Sequence, residues 1–577
     1  MNCYAVMKRF LTYMSLGIIF LLLYIGCAKD NIVLVDPQEE DDADDYISNT
    51  TFARTVNVVY SANGNATVSE VSSDFSVSVS GNDVTIEYTG DEYVMYNLSG
   101  STTDGFFKLY SGKRQGIILN DASITNPNGA AVNVQGPKSS PSKGKRTFVV
   151  VVGTNVLSDG TSYTDTPNGE DEKAVLFGEG QLVFSGTGSL TINASGKAGI
   201  VSDDYVRFMS SPVVKVVSSA GHGVRGKDFV MVSDGNLDIE VSANREKGIC
   251  SDGYVVVGGG SIVIKVTGSA AYDDEDREYA GTAGIKADLY FKMNAGSLAI
   301  TNSGQGGKGI SADGAGYFNG GTVTVTTTGS NYTSGSVSAK GIKVDGDLKF
   351  TGGNVLVNCS ADEAIESKGC ITISGGTVYA HSAADDAINS SSDFTISGGY
   401  VCGYATSNDG LDANGNFYIS GGTVYAIGSG SPEVAVDANT EGGYKLYVTG
   451  GTIVAIGGLE RGSSLSQNCY SASSWQKNTW YSLNFGSETI AYKTPASGGT
   501  AMVVSASSSP TLQSGVTVSG GTSYFDGMMV VDCSVSGGTS VSLSSYSGES
   551  GDGHGGNPGG GSGGPGGGNP PGGAPGF

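Results

Sequence analysis

ADEAIESKG at 361–369, ADDAINSSS at 384–392 and SNDGLDANG at 407–415 are one pattern written three times. Its small central residue is Ala364, Ala387 and Gly410, a constant step of 23. Asp362 and Glu363, Asp385 and Asp386, and Asn408 and Asp409 stand directly before it. Glu366, Asn389 and Asp412 stand two residues after it. Nine aligned positions therefore carry seven carboxylates and two side-chain amides.

The pattern extends in both directions. A Gly or Ala followed by an aliphatic residue occurs at Gly199, Gly223, Gly248, Gly284, Gly309, Gly341, Ala364, Ala387, Gly410 and Ala435. The steps are 23–25 residues except where SAAYDDEDREYAGTA and TTGSNYTSGSVSA are inserted. A glycine turn marks each unit, as in TGGN 351–354, SGGT 374–377, SGGY 397–400 and SGGT 420–423. A fixed period of this size signals a solenoid. No helix-period segment lies inside the repeat, so each unit reads as three short strands: Ala-Ile-Glu, Cys-Ile-Thr-Ile-Ser and Thr-Val-Tyr-Ala in the unit that starts at Ala364. Three strands with a Gly-Gly corner describe one coil of a parallel β-helix. Side chains alternate across a strand, so Ile371, Phe394 and Phe417 form one inward column and Val378, Val401 and Val424 another, while Thr372 faces out.

The expected class is all-β: a β-helix over 116–458, preceded by an N-terminal β segment at 51–115 whose strands alternate with period 2. A β-rich end domain at 459–546 is expected to cover the open end, because an exposed edge recruits other strands. Residues 547–577 are almost all Gly, Pro, Asn and Ser and read as a disordered tail. Residues 28–50 form an acidic linker, with seven acids in the ten residues from Asp36 to Asp45, read as a solvated tether. The 577 residues include 92 Gly and carry a net charge of −24, which excludes a nucleic-acid partner that needs a basic face. Six cysteines lie beyond Cys3 and Cys27 without CxxC spacing, which argues against zinc.

Equivalent residues of stacked strands lie about 4.8 Å apart. Like charges at that spacing repel by roughly 3–4 kcal/mol per pair at an effective dielectric near 20. A hard dication reverses the sign: Ca²⁺ takes 6–8 oxygen ligands from Asp, Glu, Asn and backbone carbonyls. Asp385, Asp386, Asp409 and Asp412 are the first candidates for calcium ligands, with Asp362, Glu363, Glu366, Asn389, Asn408 and Asp437 beside them. The same residue types also suit solvated turns. In the earlier units Asp203, Asp252, Asp288, Asp313 and Asp345, with Lys247, Lys286, Lys308, Lys340 and Lys343, read as a surface charge ladder. Tyr379, Tyr418, Tyr425 and Tyr447 occupy outward positions where rings could stack on sugars, although β propensity alone would also place them there. GxSxG, HExxH and P-loop motifs are absent, and no catalytic residue is assigned.

Two resemblances add to this reading. Lys8 and Arg9, the apolar run 16–25 and LYIGC at 23–27 form a signal segment at 1–27 that resembles a bacterial lipobox. That resemblance implies lipidation of Cys27 and a membrane anchor, and the acidic stretch after it is similar to surface-export segments of Bacteroides-type lipoproteins. The stretches DEKAVLFGEGQLVFSGTGSLTINASGKAGIVSDD, GHGVRGKD and KGICSDGYVVVGGGSIVI, with DDAIN and SGGTVYA, resemble the bacterial carbohydrate-binding β-helix family related to pectate lyases. The resemblance implies a right-handed parallel β-helix, calcium between coils, and binding of plant-type or acidic polysaccharide without cleavage. The expected function is thus a cell-surface, calcium-dependent polysaccharide-binding lipoprotein of the outer membrane. The alternatives are a calcium-dependent lyase acting on uronate polymers, with Lys368 as base, and a structural adhesin.

Overall fold

The computed structural model describes residues 36–38, 41–138, 145–164, 166 and 169–548. The signal segment, Cys27 and all of the Gly/Pro-rich tail after Gly548 lie outside them. The described chain is all-β, with long parallel sheets and only short 3₁₀ turns such as Ala43–Asp45, Ile47–Asn49 and Thr333–Gly335.

Each repeat contributes three strands, and each strand pairs in parallel with its equivalent in the next repeat. Ile342–Val344, Leu348–Phe350 and Asn354–Cys359 pair with Ile365–Ser367, Ile371–Ile373 and Thr377–Ser382. These pair in turn with Ile388–Ser390, Phe394–Ile396 and Tyr400–Ala405. Leu411–Ala413, Phe417–Ile419 and Thr423–Ile427 follow. Three ladders result, and the first is a 14-stranded sheet ending at Leu411–Ala413.

The alternation expected from the sequence holds. Ile371, Ile373, Phe394, Ile396, Phe417 and Ile419 are fully buried between the ladders, and Thr372 is half-buried on the outer side. The Phe394 and Phe417 rings stack at 4.4 Å. Buried hydroxyls close the turns: Ser367 Oγ donates to Gly346 O at 2.7 Å, and Ser390 Oγ to Gly369 O at 3.1 Å. At the Gly-Gly corner Gly376 has φ +77°, and a Cβ there would lie 2.6 Å from the Gly352 backbone, so only glycine fits.

Parallel pairing starts well before residue 116. Arg54–Tyr60 pairs with Val94–Thr102, which pairs with Gln115–Asn126. The period is hidden there because the strands are longer, 12 residues in Gln115–Asn126 against three in Ile365–Ser367.

Two expectations need correction. The described part of the acidic linker is not a solvated tether. Asp45 is only 2% exposed and pairs with Arg146 and Arg207, because burying those long cations demands carboxylates beside them. The C-terminal region also does more than close the end. Met502–Ser505 pairs antiparallel with Thr452–Ile456 at the end of the third ladder. The antiparallel sheet formed by Trp480–Phe485, Glu488–Lys493, Thr511–Ser519, Thr522–Tyr524, Met529–Val531 and Ser534–Val541 lies against that ladder's outer side. The outward residues Tyr379, Cys402, Tyr425 and Val454 are apolar enough to need this cover.

Candidate functional site

The outward column of the first ladder runs Arg225, Cys250, Lys286, Ser311, Lys343, Glu366, Asn389, Asp412, each in register with the next. Its charge changes sign between Lys343 and Glu366. Above that point the expected charge ladder is present: Arg225 pairs with Asp252 at 2.7 Å, Lys286 with Asp288 at 3.4 Å and with Asp313, and Lys343 with Asp345.

At the junction the protein supplies its own cation. Lys340 Nζ lies 3.1 Å from Asp362 Oδ1, 2.6 Å from Glu363 Oε2 and 2.6 Å from Glu366 Oε2. Burial alone would lower the Lys340 pKa, but the three carboxylates outweigh it and raise it. Burial likewise opposes ionisation of Glu366, yet Lys340 and Lys368 hold it below the usual carboxylate range. Lys368, the base required by the lyase alternative, is thus tied to Glu366.

Further along, acids continue without such a cation. Asn389 Nδ2 donates to Asp386 Oδ2 and to Asp412 Oδ2, both at 2.9 Å, so the amide bridges two repeats. Asn408 Nδ2 donates to Asp385 Oδ1 at 2.6 Å, and the Asp409 amide donates to Asp386 Oδ1 at 3.1 Å. One carboxylate oxygen from each of Asp409, Asp412 and Asp437 lies within 4.8 Å of the others. Asp362, Glu363 and Asp385 form a second such group, of which the first two already share Lys340. Among the described residues no lysine or arginine pairs with Asp385, Asp386, Asp409, Asp412 or Asp437. Burial first, and then neighbouring carboxylates, push Asp386, Asp409 and Asp412 upward. Burial also pushes Asp437 up to about 7, with Asp412 adding to it and a hydrogen bond with Glu460 opposing it.

Glu460 was not among the residues expected from the sequence. It is 1% exposed, and its Oε1 accepts from Thr440 Oγ1 at 2.8 Å; among the described residues its only other side-chain partner is the Asp437 carboxyl, so one of the two needs a proton to satisfy the buried Oε2. Burial and Asp437 raise it to about 8. The signal was available: Gly458-Leu459-Glu460 repeats Ala435-Val436-Asp437 after a further 23 residues, and Val436 pairs in parallel with Leu459.

The donor set fits a hard dication. It consists of oxygens only, the ligand type Ca²⁺ takes, and the three atoms lie within 4.8 Å of one another, close enough to share one ion after small side-chain adjustment. The Glu460 carboxyl beside Asp437 adds further oxygens at the edge of this set.

The four tyrosines separate into two pairs. Tyr379 and Tyr425 do not face solvent, as expected from their outward positions. Tyr425 is fully buried and donates from its hydroxyl to Lys493 O at 2.8 Å, and Tyr379 stacks on Phe525 at 6.4 Å, both under the C-terminal sheet. Tyr418 and Tyr447 remain accessible on the second ladder, stacked at 5.1 Å with their planes 9° apart.

Residues 80–271 and 240–387, together more than half of the chain, match the family described as carbohydrate-binding domain-containing protein. The chain belongs to that family. The carbohydrate-binding match takes in Lys340 and the acids from Asp362 to Asp386; Asp409, Asp412, Asp437 and Glu460 lie beyond it. Among solved structures the chain is similar to the polysaccharide lyase-like protein from C. thermocellum, in its gadolinium derivative. Identity is 22% and the TM-score 0.35, over 45% of this chain and 94% of that one. No curated protein matches.

Proposed function

We propose that this protein binds polysaccharide on the outer face of a right-handed parallel β-helix that Ca²⁺ holds together. Family membership supports the polysaccharide. The in-register parallel ladders, with their strong preference for right-handed crossovers, support the solenoid. The observation that carries calcium is the buried to half-buried group Asp409, Asp412 and Asp437, which lacks the cation that Lys340 supplies two and three repeats earlier. Bound calcium would supply positive charge that joins successive repeats at the end of the first ladder. Tyr418 and Tyr447 offer an accessible aromatic surface of the kind that suits the C–H faces of sugar rings. Lipidation of Cys27 would place the protein on the outer membrane surface.

Retention on native gels containing polygalacturonate or a neutral galactan tests this reading. The protein should be retarded in Ca²⁺, less so in EDTA, and less so with Tyr418→Ala and Tyr447→Ala combined, without forming unsaturated, ultraviolet-absorbing product. Equal mobility with and without every polymer would sink the proposal, and unsaturated product would replace it with a lyase.

A further inference from the structure

The outward column of the second ladder runs from Phe148 and Val183 through Arg207, Met231, Val256, Lys292, Tyr317, Lys349, Thr372 and Thr395 to Tyr418 and Tyr447. Tyr418 and Tyr447 are therefore the open end of one continuous face. The other half is buried: Arg207, Met231, Val256, Lys292 and Tyr317 are all under 9% exposed, although their strand positions point away from the core. Beside this column runs an aromatic stack. Tyr205, Phe229, Tyr254 and Tyr290 lie 4.2, 4.9 and 4.9 Å apart, with interplanar angles of 13°, 4° and 7°.

The N-terminal acidic segment lies on this half. Asp36 Oδ1 is 3.0 Å from Lys292 Nζ, and its Oδ2 accepts from Asn319 Nδ2 at 2.7 Å. Asp41 and Asp45 each meet Arg207 at 2.9 Å. Asp42 and Asp45 meet Arg146 at 2.6 and 2.8 Å, and Asp44 meets Arg114 at 2.6 Å. An acidic segment with a 3₁₀ turn at Ala43–Asp45 thus meets four cations, Arg114, Arg146, Arg207 and Lys292, beside a flat aromatic stack. Guanidinium groups favour carboxylates through paired N–H donors, and aromatic faces suit sugar rings. The chemistry that receives these aspartates is the chemistry that would receive a chain of uronic acids.

We propose that residues 36–38 and 41–45 act as an internal ligand mimic, occupying a binding track for an anionic, uronate-type polysaccharide until that polymer displaces them. The inference rests on the reading that the protein binds polysaccharide, and it names the ligand class and the control of access. Tyr418 and Tyr447 give the polymer its first hold. The cationic half becomes available as the segment lifts, and its aspartates exchange arginine partners for water.

The test uses the full chain with Asp41, Asp42, Asp44 and Asp45 all changed to Asn. Its affinity for polygalacturonate at low salt should rise at least tenfold over the unmodified protein, and its affinity for a neutral galactan should stay unchanged. In the unmodified protein, saturating polygalacturonate should speed hydrogen exchange at the amides of Asp45, Asn49 and Thr50, which bond within the segment at 2.9–3.0 Å. This second measurement decides the matter if the fourfold variant fails to fold. Unchanged polygalacturonate affinity in a folded variant, or unchanged exchange at saturation, overturns the mimic while leaving polysaccharide binding intact. If neither form binds polygalacturonate or galactan, both readings fall.

Discussion

Two acid groups one to four repeats apart meet the same electrostatic problem with different means. Around Glu366, the Lys340 ammonium holds Asp362 and Glu366 below the usual carboxylate range, while burial and the neighbouring Asp362 push Glu363 up to about 8. From Asp386 to Glu460, buried carboxyls of like charge are left with amides, backbone N–H groups and one another, and are pushed toward the protonated form. The scaffold, the register and the side-chain types are the same. Two positions differ: Lys340 stands where Glu363, Asp386 and Asp409 stand in the repeats that follow, and Lys368 stands where Ser391 and Asn414 stand. Where the chain encodes no cation, the column is relieved either by protonation, the direction in which burial pushes these acids, or by the Ca²⁺ proposed above.

The largest expected effect is on stability against pH in EDTA. The unfolded carboxyls titrate near pH 4, while Asp437 and Glu460 titrate near 7 and 8 when folded. Between those values the folded state holds more protons, so stability is complete below about pH 4 and is lost as pH rises through 7–8. Asp437 alone should give up roughly 2–3 kcal/mol between pH 5 and 7, and Asp386, Asp412 and Glu460 titrate in the same direction. Denaturant melts across pH measure the slope; a flat profile in EDTA contradicts the picture. Saturating Ca²⁺ should abolish the slope, since ligation requires the ionised form. Next in size is Lys340→Met, which removes the encoded cation and should cost about 3–5 kcal/mol in EDTA. It also leaves Asp362 and Glu363 without a lysine, as Asp386 and Asp409 are, so part of the loss should return on adding Ca²⁺. Full loss with no calcium response would mean that the two groups are not equivalent.

Much of this was legible in the sequence, because it depends on short-range regularity. Ile371-Thr372-Ile373 shows the alternation by itself, and the step of 23 places Glu366, Asn389 and Asp412 in one column without any long-range knowledge. What was missed depends on remote segments. Tyr379 and Tyr425 were correctly placed on an outward face, but that face is covered by strands a hundred residues further on. The Asp45–Arg207 pair joins residues 162 apart, with no pattern in either stretch to announce it. Lys340 is a third kind of miss. It sits one step before Glu363, yet an alignment guided by residue chemistry groups acids with acids and leaves the counter-ion outside the motif.

The smaller effects bear on how far the second group extends. Calcium at a hundred times its dissociation constant should stabilise the protein by about 2.7 kcal/mol. Asp412→Asn should remove most of that gain and Asp362→Asn almost none, because Asp362 already has Lys340. Glu460→Gln is the finest probe. Its carboxyl is buried at the edge of the group, next to Asp437 rather than between Asp409 and Asp412. Isothermal titration should therefore show a calcium affinity weakened by about tenfold, roughly 1.4 kcal/mol, with the stoichiometry unchanged. The same substitution removes one proton from the EDTA pH profile, since Gln cannot titrate. If the affinity falls but the pH slope does not, Glu460 is already ionised without calcium, and the acid column ends at Asp437.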